Sequence, residues 1–229
     1  MSFREHHPLF LAISFMAVLS SSLLFTAKAE AAPTWTIGPK SGVPAELAAK
    51  AGKTLLLTSK ISGVSVEFSC TGISLDKALL ETEGGGSGTA LFSGCITRLN
   101  GVTSGVCEPK IGTEKGKIAT KALKGQLVLH EGATTLAKIT AAEGETLATI
   151  ETTAECSIGS KVPVIGPLYV KDAGGEFEVA KEGHTLEAGP LTELWTISKT
   201  AEHVATAGGS AIFSLTGESL GQPWSGSGS

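Results

Sequence analysis

The 229-residue chain carries 18 basic and 22 acidic residues, a formal net charge of −4, and 41% hydrophobic but only 5% aromatic residues. A mildly acidic chain without a dominant basic face is a poor nucleic-acid binder, because neutralising phosphates takes clustered Lys and Arg. With two Asp (Asp76, Asp172) and one Asn (Asn100), it also lacks the clustered hard oxygen ligands of a calcium loop.

In residues 1–29, Arg4, His6 and His7 precede an apolar run from Leu9 to Phe25, and Ala27-Lys28-Ala29 supplies the small-x-small pattern that a signal peptidase accepts. Cleavage is expected after Ala29, with Ala29-Glu30-Ala31 a second site two residues on. Three serines, Ser20 to Ser22, weigh against an uncleaved anchor, and the C-terminal GQPWSGSGS has no apolar tail. The expectation is a secreted protein, extracellular or envelope-associated, with no membrane span after cleavage. About 200 residues then remain, enough for a single β domain with its own core.

Residues 30–52, with three prolines, read as an extended N-terminal arm that packs Trp35 on the domain; Ala45–Lys50 reads as a short helical turn. A single β domain spans 53–224, where the dominant period is two. After a strand at Lys53–Lys60, Gly63–Cys70 places Val64, Val66, Phe68 and Cys70 on one face and Ser65, Glu67 and Ser69 on the other. Asp76–Glu81 reads as a second helical turn, and Gly88–Ile96 as a strand. Asn100-Gly101 is a strong hairpin-turn signal. Further strands are expected at Lys117–Thr120, Gly125–Glu131, Thr135–Ala141, Ala148–Cys156, Val162–Lys171, Gly175–Lys181, Leu191–Lys199 and Ser210–Gly217, separated by Gly-rich turns; 225–229 reads as a flexible tail. The fold class is all-β: an antiparallel sandwich or barrel reinforced by disulfides. Residues 68–75 (FSCTGISL) and 213–220 (FSLTGESL) match at six of eight positions, but their flanks do not, so they read as two strand-to-turn corners.

All four cysteines, Cys70, Cys95, Cys107 and Cys156, follow the leader, and an even count in an exported chain points to two disulfides. Their wide spacing does not suit zinc, and no C-x-x-C redox pair exists. The hairpin at Asn100-Gly101 favours Cys95–Cys107. Cys70 and Cys156, each on the apolar face of its strand, would then meet across the core.

No constellation marks catalysis. G-x-S-x-G is absent, and His130, His184 and His203 share no local motif. Glu176 and Glu178 alternate with Phe177 and Val179, which makes them the solvated face of a strand. No catalytic residue, metal or cofactor is therefore expected. Lys110, Lys115, Lys117, Lys121 and Lys124, against only Glu108 and Glu114, form the one basic stretch. It suits contact with an anionic envelope polymer, or the guarding of an exposed sheet edge.

Several motifs carry a resemblance: VEFSC (66–70), GSGTALFSGC (86–95), the lysine-rich segment around Ile118–Leu123, TLATIETTAEC (146–156) and the corner Gly221-Gln222-Pro223-Trp224. Together they resemble a loose group of secreted β-rich proteins from actinobacteria. The resemblance implies export and a β fold, and no activity. The expected function is a non-catalytic extracellular or cell-envelope binding or structural module, whose partner is an anionic cell-wall polymer or another surface protein. The alternative is a secreted hydrolase with a non-local active site.

Overall fold

Alternating side chains and Gly-rich turns fold this chain into antiparallel strands and no α-helix among the described residues. The computed structural model describes residues 32–41, 44–189 and 191–229; the expected leader and the cleavage point after Ala29 lie outside them. In chain order the strands are β1 (Thr34–Ile37), β2 (Lys40–Ser41), β3 (Ala45–Ile61), β4 (Val64–Cys70), β5 (Gly72–Leu80), β6 (Gly85–Ser93), β7 (Ile96–Leu99) and β8 (Val102–Thr103). There follow β9 (Lys110–Ile111), β10 (Glu114–Lys115), β11 (Lys117–Ala119), β12 (Leu123–His130), β13 (Thr134–Ala141) and β14 (Thr146–Glu151). The last are β15 (Lys161–Ile165), β16 (Leu168–Asp172), β17 (Gly183–Ala188), β18 (Leu194–Ser198), β19 (Ala201–Leu215) and β20 (Trp224–Ser227).

Of the two expected architectures, the barrel is the one formed. Eight strands close it in the order β3, β5, β6, β12, β13, β16, β17, β19 and back to β3, every pair antiparallel. Its interior is packed by Ala45, Leu80, Leu127, Ala137, Val170, Leu186 and Leu215. The long strands β3 and β19 run on past the barrel. There the end of β3 pairs with β4, and the start of β19 pairs with β18, which continues through β15 to β14. These strands enclose a second core of Val66, Phe68, Ile118, Ile150, Val162 and all four cysteines. Gly209 (φ 86) lies at the irregularity between β19 and β3, where a Cβ would stand 2.0 Å from the Thr54 carbonyl oxygen. Only glycine lets the strands approach that closely there.

The structure corrects the disulfide pairing: Cys70 bonds Cys95 and Cys107 bonds Cys156, with Cα separations of 4.0 and 4.9 Å. The turn at Asn100-Gly101 is a two-residue hairpin as expected, with φ of 48° and 83° and Leu99 opposite Val102. What overrides it is register. Gly72 pairs with Ser93 in one ladder and Ser69 with Ile96 in the next, so Cys70 and Cys95 fall opposite each other between the two ladders. Cys107 is carried instead to the end of β14, where Lys110 pairs with Glu151 and Thr153 donates to the Val106 carbonyl. By loop entropy, the 25-residue link contributes about 3.5 kcal/mol and the 49-residue link about 4 kcal/mol. Peptide mapping under non-reducing conditions is expected to recover Cys70–Cys95 and Cys107–Cys156 peptides; a Cys95–Cys107 peptide would contradict this register.

Other expectations also change. Ala45–Lys50 and Asp76–Leu80 are strand, because pairing with β19 and β6 outweighs their helical propensity. The arm is therefore shorter than 30–52, since β3 enters the barrel at Ala45. The alternation read at Ala148–Cys156 ends at Glu151. Gly175–Lys181 is a loop that tucks Phe177 inward while Glu176 and Glu178 stay exposed. Of the two matching octapeptides, the first runs from β4 into β5 and the second ends β19 in a 3₁₀ turn.

The expected tail is in fact β20. It pairs with β1 over Thr34–Ile37, and the Leu129 N–H donates to the Ser229 carbonyl at 3.2 Å. β1, β2 and β20 form a three-stranded cap on the barrel. Trp35, as expected, packs inward, with ring centroids 5.6 Å from Trp224 and 6.1 Å from Phe177. Gly226 allows this, since a Cβ there would stand 2.5 Å from the Trp35 ring.

Candidate functional site

The five lysines singled out in the sequence do not form one uniform basic face. Lys115 lies 3.5 Å from Glu108, and Lys117 is paired with Glu114. The Lys117 hydrogen bond, followed by its charge, holds the Glu114 carboxyl below its ordinary range. Lys110, Lys121 and Lys124 make no ion pair among the described residues. Lys110, half-buried on β9, still reaches Glu155 electrostatically. The Glu155 carboxyl is lowered first by its own backbone N–H, then by the Thr153 hydroxyl, with Lys110 adding to both. Lys121 and Lys124 are exposed, Lys124 on β12 opposite Thr140 and Ser87. The free positive charge is thus concentrated at the start of β12. Val102, Val106 and Ile111 leave apolar side chains exposed.

The three histidines go to three different places. His130 lines an open groove of about 510 Å³ together with Thr134, Lys171 and Thr192; Lys171 is paired there with Glu187 at 3.2 Å. His203 sits opposite Thr196, with a buried Nε2 that has no protein partner. His184 is wholly buried beneath the cap.

The most elaborate polar cluster surrounds His184, and the sequence reading missed it. Asp172 ends β16 and His184 is the second residue of β17, strands that pair directly. The Asp172 Oδ2 accepts from His184 Nδ1 at 2.7 Å and from Lys181 Nζ at 2.9 Å, while Oδ1 accepts from the Gly174 N–H at 2.9 Å. His184 Nε2 lies 2.8 Å from the Trp224 carbonyl oxygen. That carbonyl also accepts from the Lys181 N–H at 3.0 Å, filling both lone pairs. Burial opposes charge on Asp172 and is the largest single influence. The hydrogen bonds from Lys181, Gly174 and His184 together outweigh it, so the carboxyl is held below its ordinary range. With a carboxylate on one side and a carbonyl on the other, each ring nitrogen of His184 has an oxygen within hydrogen-bond distance. The Trp224 ring centroid lies 4.2 Å away, and Phe177 stacks at 5.7 Å, so aromatic faces flank the ring.

Chemically, this arrangement binds the cap to the barrel. A carboxylate–histidine pair acts as an acid–base device only when the other ring nitrogen reaches a substrate. Here that nitrogen holds the Trp224 backbone. One sequence signal pointed to the cluster: His184 shares the phase of Leu186 and Ala188, which puts a polar ring on an apolar face, and Asp172 is one of only two Asp.

The fold and this site define a class: an eight-stranded antiparallel barrel, capped by the β2–β1–β20 sheet and joined to a disulfide-stapled second lobe. Among the described residues, no helix is long and apolar enough to cross a membrane. Comparison with protein-family models, curated proteins and solved structures finds no match.

Proposed function

We propose that the protein is a secreted, non-catalytic binding or structural module of the cell envelope or extracellular space, of the kind the actinobacterial resemblance implies. The observation that carries this reading is the use to which its buried polar groups are put. Asp172, Lys181 and His184 saturate one another and the cap backbone, which rigidifies a scaffold rather than arming a cleft. Two disulfides in one core support an oxidising compartment. The surface presented to an anionic cell-wall polymer is the one carrying Lys110, Lys121 and Lys124, which form no ion pair among the described residues, although Lys110 also acts on Glu155.

The test is retention of the exported chain on purified cell wall. Replacing Lys110, Lys121 and Lys124 by Gln is expected to weaken retention roughly tenfold, at about 0.5 kcal/mol for each exposed ion pair lost. Replacing Lys115 and Lys117, already paired, should do less. Salt at about 1 M, where the screening length falls to about 3 Å, should abolish retention. Retention indifferent to both salt and the triple substitution would overturn the polymer reading. Hydrolysis of a cell-wall substrate that is lost on replacing His130 would favour the hydrolase instead.

A further inference from the structure

Beneath the cap, the barrel holds an apolar cavity of about 130 Å³ that is partly open to solvent. Trp35, Phe177 and Trp224 line it at the cap end, and Ala137, Val170 and Leu186 line its wall. An eight-stranded barrel is just wide enough for side chains to fill it or for one small ligand to occupy it. Here some of the inward strand positions are small, Ala45 and Ala137 among them. Gly125 is in phase with the buried Leu127, and it stands directly opposite Gly86 across the β6–β12 pair. Gly125 has no left-handed φ, and a Cβ built there meets its nearest atom, the Gly86 Cα, at 3.8 Å, an ordinary contact. Neither backbone conformation nor crowding therefore calls for glycine at this position. A glycine inside a strand weakens the strand, and marks a place where something else approaches the backbone.

A second, independent observation comes from Trp224. Its side chain is 1% exposed, and its indole N–H is buried with no acceptor, whereas the indole N–H of Trp35 donates to the Gly85 carbonyl at 2.6 Å. A buried donor left unpaired is costly, and native proteins almost always satisfy it. The β5–β6 ladder shifts register between Asp76 and Leu79, and residues on both sides of the shift, Leu79, Ser87 and Thr89, line the cavity.

We propose that this cavity is a binding site for one compact apolar molecule carrying a single acceptor oxygen, of the size of a six-membered cyclic ketone. The Trp224 N–H donates to the oxygen, and the ring packs on Ala137, Val170, Leu186 and the bare backbone of Gly125. A dry apolar cavity of similar volume accepts a benzene-sized guest. Lys124 borders both this pocket and the lysine surface, but the two readings are tested with different probes and different substitutions, so each can fail without the other.

The experiment titrates the disulfide-bonded, exported chain with cyclohexanone, and separately with benzene, following the indole N–H signals of its three tryptophans and the Val170 and Leu186 methyl signals by NMR. Both probes are expected to shift the methyl signals saturably, and cyclohexanone alone should move the Trp224 indole signal downfield. Cyclohexanone should bind roughly tenfold more tightly than benzene, and Trp224→Phe should erase that preference while keeping benzene binding. Ala137→Leu, or Gly125→Ala should the larger substitution fail to fold, should weaken both probes. Absence of a saturable shift in the unmodified chain would overturn the proposal, as would equal affinity for the two probes.

Discussion

Replacing Trp224 by alanine is expected to lower the free energy of unfolding by about 4–5 kcal/mol, the upper part of the range for deleting a buried aromatic side chain. The residue joins three parts of the molecule. Its ring packs on Trp35 from the N-terminal strand and on His184 from the barrel, while its backbone pairs with Lys181 in both directions, at 2.9 and 3.0 Å. Loss of the indole empties the space between cap and barrel, where no neighbouring strand is free to collapse. A domain stable by about 5–15 kcal/mol loses a large share of its margin. Urea unfolding measures the change. Leu220→Ala, four residues earlier and 73% exposed, serves as the control and should alter stability by less than about 0.5 kcal/mol. A Trp224→Ala loss below about 1 kcal/mol would mean that the cap unfolds apart from the barrel.

Asp172→Asn is expected to cost about 3–5 kcal/mol at neutral pH, because it removes the buried carboxylate on which Lys181 and His184 converge. The same group sets part of the acid response. Its folded-state pKa lies below the ordinary 3.8, so the fold favours the ionised form. The resulting stabilisation is fully present above 3.8, and it is lost as the pH falls through the lower, folded value. The side chains that face it are those of Lys181 and His184. The stability gap between the unmodified chain and Asp172→Asn should accordingly stay constant above about pH 5 and narrow below 3.8. Denaturant titrations across that range check it. A gap that widens on acidification would contradict an ionised Asp172 in the fold.

The all-β class, the inward faces of the strands and the Asn100-Gly101 turn were legible from the sequence, because each depends on neighbours one or two residues away. Val64, Val66, Phe68 and Cys70 alternate with Ser65, Glu67 and Ser69 whatever strand lies beside them, and a two-residue turn with positive φ at both positions asks for Asn-Gly wherever it occurs. The same local reading put Cys70 and Cys156 on the apolar faces of their strands but paired all four cysteines wrongly, since every thiol faces the same interior and only the Asn100-Gly101 turn was there to choose among them. It likewise placed five lysines in a row without knowing which carboxylates would face them.

What tertiary structure alone decided was everything that depends on register between distant strands. The alignment of β4 with β7 and of β5 with β6 brings Cys70 opposite Cys95. Pairing with β19 holds Ala45–Lys50 extended against its helical preference, and β1 converts a Gly/Ser tail into a strand. The approach of β16, β17 and β20 assembles Asp172, His184 and the Trp224 carbonyl from positions 12 and 40 residues apart. Periodicity in a chain specifies which way a side chain points. Only the closure of the barrel, in which each strand's unpaired backbone groups must find one particular neighbour, determines what it points at.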